Sequence, residues 1–274
     1  MNHHQHISLT LLLLAPLCLG AGCASTPYSS FAVHGGEDDY DNNYRSTVLV
    51  KTDLGFCSGV LIAPSTVLSS AHCFCLPRDF KKRTGTEIYT NSACKKEATI
   101  THYLYQNEGG KWVDIPQEHK GTVVAHDAFK SEIQDGRVKT HVADLAVIHL
   151  EKAMTDVIPE SLPEIEVKMD ERFTVVGFGP SGVSSMDEGV RRFGRNRVTE
   201  VITTPEAKEF RFSTGRVHIL PGDSGGPCFR ETPAGRWLVG INGGFAREGK
   251  SSWFTSTFYY REWIEGQKRG LSTH

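Results

Sequence analysis

The segment Gly222-Asp223-Ser224-Gly225-Gly226-Pro227 sets a serine among glycines. A nucleophilic serine needs an exposed hydroxyl and backbone N–H groups aimed at the oxyanion that forms on the attacked carbonyl. Glycine permits the tight turn and close backbone approach this requires. The hydroxyl is a poor nucleophile until a base takes its proton, and histidine suits that task near neutral pH. His72 ends the run Leu68-Ser69-Ser70-Ala71-His72-Cys73, with small residues before it, a cysteine after it and Cys57 fifteen positions earlier. His102, His119, His126, His141, His149 and His218 lack such a setting and read as structural. Asp144 opens the apolar run Leu145-Ala146-Val147-Ile148-His149-Leu150. A carboxylate there is costly to bury without a cationic or N–H partner. An imidazole N–H supplies one, and the carboxylate then fixes the ring tautomer and stabilises the imidazolium. Nucleophile, base and orienting acid are the parts of an acyl-transfer site.

The elements that must position these groups are short. Ser46 to Val50, Gly59 to Ala63, Thr66 to Ser69, Leu145 to Leu150, Phe173 to Val176 and Trp237 to Ile241 are rich in Val and Ile and bounded by breakers, which predicts strands. Tyr259, Tyr260, Trp263, Ile264 and Gln267 recur at helical spacing, so a closing helix is expected near 258–268. There is no internal repeat, heptad, Walker loop or dinucleotide fingerprint. The architecture expected is mostly β, as a sandwich or barrels.

The chain has 274 residues, 39% hydrophobic and 23% charged, with 30 Lys+Arg against 32 Asp+Glu and a net charge of -2. That balance excludes disordered, collagen-like and coiled-coil classes and leaves no electrostatic footprint for nucleic acid or an anionic membrane. Ile7 to Leu19 is an apolar run too short to span a bilayer, which takes roughly 20 residues, and Gly20-Ala21-Gly22-Cys23 follows it. Residues 1–23 therefore read as a signal peptide for export, although no Lys or Arg precedes Arg45. Small residues before Cys23 also resemble a bacterial lipoprotein signal, with Cys23 as the lipidated first mature residue. Cell-envelope lipoprotein and secreted product both stay open, and a lipid on Cys23 would be the only link to a membrane. Residues 24–32 read as a linker or propeptide.

The serine, histidine and aspartate segments resemble those of the trypsin-like (chymotrypsin-fold) serine endopeptidases, of a bacterial exported type. The order His72, Asp144, Ser224 is that family's order, and Val123-Val124-Ala125-His126 and Val176-Gly177-Phe178-Gly179 are lesser matches. The resemblance implies an all-β domain over 33–274, built from two antiparallel six-stranded β-barrels with a C-terminal helix. It implies His72 as base, Asp144 as its orienting acid, Ser224 as nucleophile, and the N–H groups of Gly222 and Ser224 as the oxyanion hole. The partner implied is a protein or peptide substrate, with no metal or organic cofactor. The alternative is a non-catalytic binding module on the same fold.

The resemblance also pairs Cys57 with Cys73, leaving Cys75 and Cys94 as a candidate second bridge and Cys228 as an odd, buried thiol. A zinc reading of His72, Cys73 and Cys75 fails for want of a matching second pair. Val33-His34-Gly35-Gly36 resembles the new N-terminus of activated family zymogens, whose ammonium would pair with Asp223 after a cut by an activating protease behind Ala32. Departures from the family are clear. Leu220 replaces a cysteine four residues before the nucleophile, and His218 stands six before it, where tryptic enzymes carry an acid. A pocket of His218, Gly244 and Ser252 would favour an acidic or polar side chain over Lys or Arg. The stretch Leu76 to Gly121 is an insertion, expected as surface loops.

Overall fold

The computed structural model describes residues 33–77, 79–182, 189–213, 217–246 and 251–269. The leader 1–23 with Cys23, and the segment 24–32, lie outside the described residues. The first half of the chain runs through β1 (Glu37–Asp38), β2 (Thr47–Thr52), β3 (Gly55–Ala63), β4 (Thr66–Ser69) and the single-turn α1 (His72–Cys75). It continues with β5 (Thr86–Thr90), β6 (Glu97–Glu108), β7 (Lys111–Ala125), β8 (Lys130–Gln134), β9 (Arg137–Val142) and β10 (Ala146–Leu150). The second half holds β11 (Arg172–Gly177), β12 (Arg192–Arg197), β13 (Glu200–Thr203), β14 (Lys208–Ser213), β15 (Pro227–Thr232), β16 (Gly235–Ala246) and β17 (Ser251–Ser256). It ends on α2 (Arg261–Arg269). The six runs read as strands fall on β2, β3, β4, β10, β11 and β16.

Strands β10-β4-β3-β2-β6-β7 close a six-stranded barrel, and β1-β12-β11-β15-β16-β17-β14-β13 form an eight-stranded antiparallel sheet. The ends of that sheet meet through the chain itself. β12 and β13 are successive pieces of one bent strand, parted at Val198 and Thr199, whose N–H groups donate to Glu171 O and Arg211 O. Counted so, six strands enclose the second core, with β1 added at the edge. The all-β, two-barrel expectation is met.

Alternation along the strands explains how the halves dock. Successive side chains of a strand point to opposite faces. Along β10, Ala146, Ile148 and Leu150 fill the first barrel, while Val147 and its predecessor Leu145 join a second cluster with Val176, Phe229, Leu238 and Ile264 of the other half. β4 divides likewise, Val67 inward and Leu68 outward. Strands buried on both faces read as continuous apolar runs. α2 caps this interface with Ile264, and the rings of Tyr260 and Trp263 pack on His126.

The insertion is not made of loops. β6 and β7 form a long hairpin in register from Glu97↔Thr122 to Glu108↔Lys111. Gly109 and Gly110, at φ +62° and +90°, make the two-residue turn that this hairpin requires. β5, β8 and β9 form a separate three-stranded sheet. Its polar alternation hid it: β5 reads Thr-Glu-Ile-Tyr-Thr, with Ile88 exposed.

An ion pair fixes the N-terminal segment to the second half. Arg191 and Asp39 are both 0% exposed, and Arg191 Nε donates to Asp39 Oδ2 at 2.7 Å. The carboxylate also accepts the N–H groups of Asn43 and Tyr44, and the guanidinium reaches Tyr103 O and Asn42 Oδ1. Breaking such a pair leaves an uncompensated buried charge, at a cost of about 3–5 kcal/mol. Asp39→Ala should lose that much in urea unfolding, and the double change Asp39→Leu with Arg191→Met should lose less than the single one.

Candidate active site

A groove of about 1020 Å³ runs between the halves and is lined by His72, His141, Gly222, Ser224, Gly244 and Trp253 among others. The pairing Ala146↔Ser69 between β10 and β4 brings Asp144, just ahead of β10, beside the chain entering α1. Asp144 is 2% exposed. Its Oδ1 accepts the main-chain N–H of His72 at 2.8 Å and its Oδ2 lies 2.7 Å from His72 Nδ1. Burial pushes this carboxyl up, but the His72 and His141 rings and the hydrogen bonds from His72 hold it below its ordinary value. A carboxylate on Nδ1 leaves Nε2 of His72 as the acceptor facing the groove.

The serine turn is held from behind. Gly222 and Gly225 have φ of +102° and +81°, the left-handed region where only glycine is unstrained, and a Cβ at Gly225 would overlap Ser69 and Ser58. Ser58 of β3 donates its N–H to Ser224 O at 2.7 Å and its hydroxyl to Gly222 O at 2.8 Å. Asn242 Nδ2 donates to Asp223 O at 3.0 Å, and Gly225 N–H to Asn242 O at 2.8 Å. With those carbonyls taken from behind, the N–H groups of Gly222 and Ser224 donate to no group among the described residues. Nor does Ser224 Oγ make a hydrogen bond there; His72 Nε2 has Cys73 Sγ at 3.9 Å.

Disulfides join Cys57 to Cys73 and Cys75 to Cys94, flanking His72, and Cys228 is a buried thiol whose pKa burial raises. Asp223 is fully buried, its oxygens accepting Gly179 N–H and Leu220 N–H at 2.8 Å each. Burial pushes its carboxyl up to about 6, against the pull of those two hydrogen bonds and of Arg192. Val33 is buried in the second core with Phe173 and Phe210, and it forms no bond to Asp223 in the uncut chain.

The pocket expected from His218, Gly244 and Ser252 is corrected in two members. Gly244 lines the groove, but Ser251 does so in place of Ser252, because neighbouring strand residues face opposite ways. Ser252 is buried and its hydroxyl accepts Ile219 N–H at 3.1 Å. His218 does not line the groove either; its ring lies 4.3 Å from that of His34 and 6.0 Å from that of Phe245. Trp253 instead packs over Gly243 and Gly244, in space that a Cβ at either glycine would take.

Sequence reasoning missed three groups. Ser58 and Asn242 hold the serine turn, and only the adjacency of Ser58 to Cys57 hinted at it. His141, set aside as structural, lies one residue before the end of β9 with its ring stacked 5.4 Å from that of His72. Burial pushes its pKa down to about 4, despite Asp144 nearby. Its place three residues before Asp144 was the available signal.

A family model described as Trypsin matches residues 33–264. Among solved structures, a mutant of human heparin binding protein superposes with a TM-score of 0.62 at 18% identity, covering 88% of this chain and 98% of that one. Identity that low speaks for the fold alone.

Glu209 of β14 also lines the groove, and burial pushes its carboxyl up to about 7, with Arg211 opposing and Asp144 adding to the rise. A raised carboxyl contributes stability that is full below its unfolded pKa and lost as pH rises through its folded one. Glu209→Gln should therefore be more stable than the parent at pH 8.5 by about 1–3 kcal/mol, a gap that closes below about pH 4.5. Urea midpoints at the two pH values check this.

Proposed function

We propose, for a chain that belongs to the trypsin family, that it is an exported serine endopeptidase acting through Ser224, His72 and Asp144. The observation that carries this is the pair of contacts from buried Asp144 to His72, set in the same groove as Ser224 and the undonated N–H groups of Gly222 and Ser224. As substrate enters, Ser224 Oγ closes on His72 Nε2, since such hydrogen bonds are often long in unliganded sites and tighten on binding. His72 takes the hydroxyl proton while Oγ attacks the carbonyl, and the developing oxyanion accepts the two N–H groups. The imidazolium, stabilised by Asp144, protonates the leaving amine. Water then repeats the sequence on the acyl-enzyme.

Specificity is non-tryptic, since the position six before Ser224, where an acid would select Lys or Arg, is His218, turned away from the groove and against His34. Export through residues 1–23 fits the two disulfides, which persist in oxidising compartments. A cut behind Ala32 would free an ammonium on Val33 for Asp223, whose raised carboxyl has hydrogen bonds but lacks that cation in the uncut chain. Cys23, if lipidated, would hold only the uncut form at a membrane. A partner-binding module without catalysis is the second reading, favoured by the missing Ser224–His72 hydrogen bond.

A fluorophosphonate probe read by intact mass tests the reading. Labelling should occur in the parent and vanish in Ser224→Ala, and peptide hydrolysis by that variant should fall to about 10³–10⁴ over water. A folded chain beginning at Val33 that takes no label would favour the binding module. An active protein retaining residues 24–32 would refute activation by the cut.

A further inference from the structure

We propose that His72, His141 and Asp144 form a binding site for a divalent transition metal, zinc above all, that reversibly blocks the groove. The inference rests on the hydrolase reading for its effect on catalysis and stands apart from it for binding.

One donor atom from each of the three side chains lies within 4.8 Å of the other two. Two imidazoles and a carboxylate are a zinc-type donor set, whereas calcium and magnesium take oxygen. Metal–donor bonds of about 2.0–2.1 Å hold tetrahedral donors about 3.4 Å apart. Rotations of the two rings supply the difference, and both rings line the groove by which an ion arrives. His141 shows what the triad's own chemistry leaves unused. Its Nδ1 is shut off from solvent and has no hydrogen-bond partner, although a carboxylate and a second imidazole lie beside it. A buried polar nitrogen without a hydrogen bond is costly, and a ligand taken beside it removes that cost. The neighbouring candidate of Cys57, His72 and Cys73 is closed, because its sulfurs are joined to each other.

The carboxylate sits on the Nδ1 side of His72, so a metal shared by the two takes Nδ1 and sends its proton to solvent. His72 then loses the tautomer and orientation on which its basicity toward Ser224 depends. Two rings and one acid thus couple the activity of the site to free zinc.

The test is calorimetric titration of the full chain carrying Ser224→Ala with Zn²⁺, beside the same protein also carrying His141→Phe, which keeps the ring stack and removes the donor. The second protein should bind one zinc fewer, or bind that one at least 100-fold more weakly. His72→Phe in the same background should lose the same site, and it serves if His141→Phe does not fold. His3, His4 and His6 and the His34–His218 pair contribute equally to every protein compared. Equal stoichiometry and affinity throughout overturn the site. Where the parent hydrolyses peptides, Zn²⁺ should inhibit it at the Kd of that site, and His141→Phe should raise the inhibitory concentration at least 100-fold. Binding without inhibition overturns the regulatory role. A chain that binds the zinc through His141 and hydrolyses nothing upholds the site and refutes the hydrolase reading.

Discussion

A carboxylate at 2% exposure, satisfied by two N–H groups of one residue, is the constraint around which this structure is arranged. An unpaired buried charge would neutralise or unfold its surroundings. Asp144 therefore requires His72 within hydrogen-bond reach on both its main chain and its ring. That requirement joins the start of β10 to the chain leaving β4, and the Cys57–Cys73 disulfide holds α1 against β3 from the other side. The orientation of the ring is a consequence of this packing.

The serine belongs to the other half, so the site exists only while the halves keep their docking. Apolar alternation supplies the affinity, with one face of β3, β4 and β10 inside the first barrel and the other against the second half. Hydrogen bonds supply the register. Ser58 and Ser70 of the first half reach Gly222 O and Asn242 O of the second, and Ser58 N–H reaches Ser224 O. Ser58, on a strand of the first barrel, thus holds Ser224 of the opposite barrel in place; for the proposed nucleophile a displacement of about 1 Å is worth about two orders of magnitude in rate.

The insertion bears on this site more closely than a surface loop would. Its strand β5 joins β8 and β9 in one sheet, and the end of β9 lays His141 against His72 and leads into Ala143, at φ +48°, and Asp144. The wall opposite, on β14 and β17, presents Glu209 and Trp253. Both walls carry titratable groups taken out of water, and the charge of Asp144 opposes the fall at His141 and adds to the rise at Glu209.

Local chemistry was legible in the sequence. A serine among glycines, a histidine between small residues and a cysteine, and an acid opening an apolar strand pointed to Ser224 and His72, which line one groove, and to Asp144, which bonds His72 from behind. Strands buried on both faces were legible too, since Val and Ile runs bounded by breakers have few other uses. The polar strands β5, β8 and β9 were not, because few of their residues are apolar and β5 pairs with β8 across a separation of 40 to 48 residues. The roles of Ser58, Asn242 and His141, and the turning of Ser252 away from the groove, depend on which face of a strand meets which neighbour. That is set by register and by the docking of two cores, which only the tertiary structure decides.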